Sequence, residues 1–502
     1  MASGRHKLDL ERLPTGIPGL DDILRGGFLK GGVYIVQGSP GAGKTIFANQ
    51  FCFNHVIGGG RAAYVTLLAE SHTRMLQHLR PMSFFDEAVI PDSLYYVSGF
   101  QVLEEEGLKG FRNLLRSEIQ THKASLLILD GLVAAEETAP SDREFKKFIH
   151  EVQSHAAMAE CTVLLLTSGG SVTAIRPEHT MVDGLIELED QFIDVRTERS
   201  LRVRKFRGSG FLRGRHPFRI TGNGVTVFPR IEAAFAEPSR PQDTNFHKLR
   251  TGVEGLDELL GGGLPGATST MLVGPTGSGK TTLGLQFLSL ATPEEPGLLF
   301  SFFETPERLR AKSRILGIDL PALEAAGALE IIWQAQGENI LDELGHQILS
   351  AVRRRGVKRL FVDGLGGFIE STIGPDRIGR YFSVLSNELR ALGATALYTL
   401  ESPEIMGSEF RLPVSGVSAM VENVVFMRFA EEGDRLQRTL SVLKVRDSDF
   451  NPMTHDLIIS DRGVSVDGSR QKRKDVTSGH ADRAGGQEAD PADRAWRPSR
   501  KG

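Results

Sequence analysis

Cysteine is almost absent: only Cys52 and Cys161 occur, far apart and without the spacing of metal ligands. That excludes a disulfide framework and a cysteine-based zinc cluster, and it fits free, buried thiols in a reducing compartment. No apolar run approaches the ~20 residues needed to cross a bilayer, so no membrane partner is expected. The opening stretch MASGRHKLDLERLP lacks an apolar signal core, and the expected location is cytoplasmic. A large excess of one charge is missing too: 59 Lys and Arg stand against 63 Asp and Glu, a net charge of −4. Such a balance argues against a protein whose main task is coating nucleic acid, although it leaves room for a local basic stripe. Aromatic residues make up only 7% of the chain, few for stacking bases.

The remaining composition, 40% hydrophobic and 24% charged over 502 residues, is that of a soluble globular protein too long for one core. Two glycine-rich stretches organise it. Gly38, Ser39, Pro40, Gly41, Ala42, Gly43, Lys44 and Thr45 read GSPGAGKT. Gly274, Pro275, Thr276, Gly277, Ser278, Gly279, Lys280 and Thr281 read GPTGSGKT, with Thr282 following. Both are the phosphate-loop pattern. Glycines let the backbone wrap around phosphates so that successive N–H groups face the oxygens, and the following helix adds its positive end. Lys44 and Lys280 then reach the β- and γ-phosphates, while Thr45 and Thr281 hold Mg²⁺. Apolar runs precede both loops and helical patterns follow them. The expected cofactors are ATP and Mg²⁺, bound twice.

The rest of the chain is written twice as well. Thr15-Gly16-Ile17-Pro18-Gly19-Leu20-Asp21 answers Thr251-Gly252-Val253-Glu254-Gly255-Leu256-Asp257, and one shift superposes these stretches and the two loops without a gap. Duplication at domain-sized spacing means two tandem copies of one fold rather than a solenoid. Buried-strand runs such as Ala62–Leu68, Ala124–Asp130 and Cys161–Thr167 alternate with helical patterns near Ser71–Leu79 and over Arg143–Ala159. That alternation predicts an α/β fold with a mostly parallel sheet covered on both faces. Each copy ends in antiparallel material, SLRVRKFR at Ser200–Arg207 and RTLSVLKVR at Arg438–Arg446, with a hairpin turn within Ile220–Val225. The expected boundaries are 12–233 and 248–465 for the two ATPase domains, 234–247 for a polar linker and 466–502 for a disordered polar tail.

Acids complete the candidate sites. Asp130 and Asp363 each close an apolar strand, where a phosphate-loop enzyme places a carboxylate near Mg²⁺. Glu70 and Glu304 follow the second strand of each copy and are placed to hold or deprotonate an attacking water, or else to sit in the first turn of the next helix. Lys205 with Arg207, and Lys444 with Arg446, alternate along strands and point the same way. Such pairs are either a solvated face or fingers reaching a neighbour's nucleotide to offset charge on the γ-phosphate.

On these residues the sequence resembles the KaiC-like family of RecA-like ATPases, over roughly 12–465. The resemblance rests on the TGxxGLDxxLxGG lead-in to each loop, the acid-tipped strands, Lys205-Phe206-Arg207-Gly208, and HPFRITGNGVTVFP at His216–Pro229. It implies two tandem RecA-like P-loop domains, each a mostly parallel sheet with a C-terminal antiparallel hairpin. It also implies a homohexameric double ring with ATP between subunits, slow hydrolysis, and autophosphorylation of adjacent Ser and Thr in the second domain. Partners would be further copies of the chain and KaiB-like or other signalling proteins. Three departures stand out. The family's paired glutamates after the second strand are Ala69-Glu70 and Phe303-Glu304 here, which bears on catalytic rate in both copies. The phosphorylation pair reads Ser418-Ala419, leaving Ser418 as the one candidate phosphosite, so a two-site cycle cannot run. Asp447 also follows Arg446 where Gly208 follows Arg207. The leading expectation is a hexameric ATP-driven switch with slow ATPase and Ser autokinase activity. The alternatives are a DNA-dependent RecA-like ATPase, with Arg196–Arg215 as its basic strip, and a scaffold that ATP merely stabilises.

Overall fold

The computed structural model describes residues 10–67, 72–168, 177–193, 195–241, 247–402, 421–432, 434–446, 449–461 and 463–469. The first unit is built on a nine-stranded sheet. In chain order its strands are β1 Val33–Gly38, β2 Ala62–Thr66, β3 Leu94–Ser98, β4 Leu126–Asp130, β5 Thr162–Thr167, β6 Gly184–Ile193, β7 Arg196–Phe206, β8 His216–Thr221 and β9 Gly224–Val227. Across the sheet they lie in the order β3-β2-β4-β5-β1-β6-β7-β8-β9. The pairs from β3 to β6 are parallel, and those from β6 to β9 antiparallel.

The second unit repeats this arrangement strand for strand. Its strands are β10 Ser269–Gly274, β11 Gly297–Ser301, β12 Leu329–Trp333, β13 Arg359–Asp363, β14 Thr395–Glu401, β15 Asn423–Glu432, β16 Arg435–Lys444, β17 Thr454–Ser460 and β18 Gly463–Ser469. They lie in the order β12-β11-β13-β14-β10-β15-β16-β17-β18. Each unit is thus a doubly covered, mostly parallel sheet ending in an antiparallel ribbon. β18 carries the second sheet to Ser469, four residues beyond the boundary at 465.

The physical origin of the parallel half is visible in burial. Every residue of β2, β4 and β5 is buried, including Thr66, Asp130, Thr162 and Thr167, as expected where helices cover both faces. Helix starts follow local chemistry. Ser141 caps the helix Asp142–Met158 by accepting from the Glu144 N–H, and Thr305 caps Pro306–Ile315 in the same way, with proline in its first turn. The hairpin turn at the end of the first unit is the one the sequence predicts: β8 and β9 pair Thr221 with Gly224 across two residues. Cys52 and Cys161 are free and fully buried, and burial pushes the Cys161 thiol up to about 12. Among the described residues no helix is long and apolar enough to cross a membrane.

The repeated TGxxGLD stretch turns out to be a clamp. The Thr15 and Thr251 hydroxyls donate to Asp21 and Asp257 at 2.8 and 2.7 Å, and the threonine N–H groups donate to the same carboxylates. Both threonines are buried, so the motif shapes the approach to each unit's core.

The chain between the units is docked rather than free. The short helix Ile231–Ala234 places Ile231 in the hydrophobic core of the second unit, and the Ile231 N–H donates to Asp342 at 2.9 Å. Arg377 donates to both Glu232 carboxylate oxygens at 2.6 Å and also to Asp342. Farther along, Ser239 donates to Glu388, which Arg353 also meets at 2.7 Å.

His216 secures the exit toward this linker. It is fully buried; its Nδ1 accepts from the Arg230 N–H at 3.0 Å, and its Nε2 faces the Leu212 carbonyl at 3.1 Å. Burial, with the positive charges of Arg230 and Arg377, pushes the imidazole down to about 4, against the pull of the Leu212 carbonyl and Glu232. A depressed histidine contributes stability that is present above its unfolded pKa of 6.5 and lost as pH falls toward 4. Urea titration of wild type should therefore show roughly 1 kcal/mol lost between pH 8 and 5.5, and His216→Asn should flatten that part of the profile.

Candidate active sites at the two phosphate loops

The first loop joins β1 to the helix Lys44–Ile57, and the second joins β10 to the helix Lys280–Leu288. Each loop therefore lies at the carboxyl edge of the parallel strands and leads straight into a helix N-terminus, the geometry that favours bound phosphate. Gly43 and Gly279 are the residues just before the helices, at φ +97° and +103°. A side chain there would be strained, and its Cβ would meet Ile220 at 2.5 Å or Ile459 at 2.8 Å. The antiparallel ribbon of each unit thus packs directly under its loop.

Both lysines lie over their own loops. Lys44 Nζ donates to the Gly38 and Ser39 carbonyls at 2.8 and 3.0 Å, and Lys280 Nζ to Gly274 and Pro275 at 2.6 and 2.7 Å. Burial lowers both ammonium pKa values. Asp130 opposes the shift at Lys44; Glu401 and then Asp363 oppose it at Lys280.

The acids stand where the sequence predicts, at the ends of β4 and β13. Asp130 Oδ2 accepts from the Thr45 hydroxyl at 3.2 Å. Asp363 receives hydrogen bonds from Thr281 and Thr399, which work against the upward push of its burial. A hydroxyl and a carboxylate side by side at the loop suit Mg²⁺, which takes few protein ligands and fills its octahedron with phosphate oxygens and water. No larger cluster of metal ligands exists among the described residues.

The two acids are held from opposite sides. In the first unit Tyr64, on β2, donates to Asp130 Oδ2 at 2.7 Å. In the second, Leu299 occupies the matching place on β11, and Thr399, on β14, donates to Asp363 Oδ1 at 2.8 Å. Neither residue was singled out from the sequence. The available signal was a hydroxyl side chain inside a buried strand, Tyr64 in AAYVT and Thr399 in TALYTLE.

Glu70, with Ala69, lies outside the described residues. Glu304 is present and paired: its Oε1 meets Lys312 Nζ at 2.7 Å. Phe303 is 54% exposed, and its ring lies against the Gly364 backbone beside Asp363. Ser418 and Asp447 also fall outside the described residues.

The side chains of the first basic pair point the same way. Lys205 Nζ donates to the His179 and Thr180 carbonyls at 3.0 and 2.8 Å, and Arg207 to Thr180 and Met181 at 2.7 and 3.1 Å. Both therefore converge on one segment of their own chain. Lys444 donates to the Val421 carbonyl at 3.2 Å, and the Arg446 N–H to Asn423 at 3.2 Å. Two further residues that the sequence did not mark touch the second loop. Arg438 Nε donates to the Gly277 carbonyl at 3.0 Å, and Glu401 accepts from the Thr276 hydroxyl.

Comparison with known proteins agrees with this geometry. The family model described as "ATPase: KaiC" matches twice, over residues 13–232 and 249–471. Among curated proteins, the circadian clock oscillator protein KaiC of Parathermosynechococcus lividus is 23% identical over 492 residues, covering 94% of this chain and 90% of that protein. The protein of the same description from Prochlorococcus marinus strain MIT 9313 is 23% identical over 490 residues, covering 95% and 97%. That from Synechococcus elongatus is 22% identical over 482 residues, covering 94% and 92%.

Proposed function

The chain belongs to the KaiC ATPase family, and from that premise we propose that it binds and slowly hydrolyses ATP at both phosphate loops. The observation that carries this reading is the repeated triad of loop lysine, loop threonine and strand-tip carboxylate at equivalent places in two sheets. Gly38–Thr45 and Gly274–Thr282 cradle the phosphates through backbone N–H groups. Lys44 and Lys280 leave their carbonyl partners to meet the β- and γ-oxygens. Thr45 with Asp130, and Thr281 with Asp363, would hold Mg²⁺, which would supply positive charge against the phosphates.

Glu70 in the first unit and Glu304 in the second, the acids that follow the second strand, hold the attacking water in line. Lys205, Arg207, Lys444 and Arg446 serve as fingers toward a neighbouring subunit's nucleotide, which makes a homohexameric ring the working form. Ser418 is the acceptor for autophosphorylation; Ala419 beside it restricts the chain to a single site. Nucleotide state would then be read by signalling partners of the KaiB-like kind in the cytoplasm.

The test compares wild type with Lys44→Ala, Lys280→Ala and the double variant. Each single change should abolish binding of a fluorescent ATP analogue at one site, halving the stoichiometry, and the double variant should release no phosphate above background. Equal phosphate release by all four proteins would overturn the ATPase reading.

A further inference from the structure

We propose that Glu401 is the proton acceptor of the second site, a role that rests on ATP being hydrolysed there. β14 lies beside β10, the strand that feeds the second loop, and their register pairs Glu401 with Gly274, the loop's first residue. The Glu401 side chain is exposed at that edge and accepts from the Thr276 hydroxyl, in the third position of the loop. Its charge acts on Lys280 more strongly than that of Asp363 does. A carboxylate at the loop's edge, acting on the lysine that reaches the γ-phosphate, is placed to take a proton from an attacking water.

The other acids of this site are committed. Asp363 is buried and takes hydrogen bonds from Thr281 and Thr399, as a metal-side carboxylate should. Glu304 is paired with Lys312, and the position before it is Phe303, whose ring covers Gly364. A phenyl ring cannot accept a proton. Among the described contacts Glu401 is the carboxylate at this loop that makes no ion pair and takes no metal-side place.

The step balances simply. The water oxygen bonds to the γ-phosphorus, and its proton passes to a Glu401 carboxylate oxygen. The bond from the γ-phosphorus to the bridging oxygen breaks, and ADP departs with that electron pair. Inorganic phosphate is the second product, and Glu401 returns its proton to solvent. The first unit has no counterpart: β5 ends at Thr167, paired with Gln37, and Ser168 follows where Glu401 stands in the second. The two sites therefore differ in their base as well as in how each metal-side acid is held.

The experiment uses the full chain carrying Lys44→Ala, so that turnover reports the second site alone. In that background Glu401→Gln should lower single-turnover phosphate release about 100-fold, within the span of general-base effects, and Glu401→Asp should recover part of it. Affinity for a non-hydrolysable ATP analogue provides the readout apart from turnover. It should hold or rise in Glu401→Gln, because a negative charge next to the γ-phosphate is removed. Release within twofold of the Lys44→Ala parent would overturn the proposal, as would a loss of analogue affinity matching the loss of rate. If the parent itself releases no phosphate while binding the analogue, hydrolysis at the second site fails, and this role for Glu401 fails with it. If Lys280→Ala leaves analogue binding intact, the fault lies in the site assignment instead.

Discussion

Replacing Arg377 by alanine should destabilise the second unit by about 3–5 kcal/mol, the usual consequence of removing one partner from a buried ion pair. The guanidinium bridges Glu232, from the chain leaving the first unit, and Asp342, at the start of the helix Leu341–Arg355. The Asp342 side chain is 0% exposed and that of Glu232 11%. Without the arginine, both carboxylates remain at a buried junction, offset by the Ile231 N–H, the Glu232 backbone N–H and the more distant Arg230. One of them must take up a proton, or the short helix Ile231–Ala234 must leave its seat. The second event exposes Ile231, which belongs to the second core. Urea denaturation followed by Trp333 fluorescence, with hydrogen exchange at the Ile231 amide, measures the effect. A change under about 1 kcal/mol would mean that water already reaches this cluster. Arg377→Lys should rescue poorly, since an ammonium cannot repeat the paired contact with Glu232.

Gly284→Ala should cost close to 3 kcal/mol, although alanine is the better helix former by about 1 kcal/mol. Gly284 lies in the helix Lys280–Leu288, and a Cβ there would fall within the ring of Phe361 on β13. Phe361 is fully buried in a cluster with Leu283, Leu285 and Phe287, so the ring has nowhere to retreat. The first unit solves the same contact with the volumes exchanged. Counting from the loop lysine, Ala48 takes the place of Gly284; counting back from the strand-tip acid, Ile128 takes the place of Phe361. Gly284→Ala combined with Phe361→Ile should therefore recover most of the loss. Full additivity of the two changes in denaturation experiments would show that they do not touch.

These pairs mark the limit of what the linear sequence discloses. The phosphate loops, the strand-tip acids and the β8–β9 turn were legible because each depends on a few adjacent residues with a local conformational demand. The alternation of buried runs with helices was enough to predict the parallel sheets. Tyr64 on Asp130, Thr399 on Asp363, and Glu401 on Thr276 were not legible, because strand order and register decide which side chains meet. The linker shows the same limit. Proline, serine and charge in Ala233–Asn245 read as a solvated tether, yet Ser239 within it and Glu232 just before it are held by partners more than a hundred residues away. Composition describes what a segment tolerates; it does not describe what awaits it.

The seat of Ile231 has a consequence for where one half of this protein ends. The apolar anchor of the second core is spelled before the proline-bearing stretch, so severing the chain within 234–247 would leave one half missing a piece of its own interior. The natural seam runs upstream, near Pro229, whose carbonyl already meets His346 of the second half at 2.7 Å. By that measure the halves share a stitch instead of a hinge.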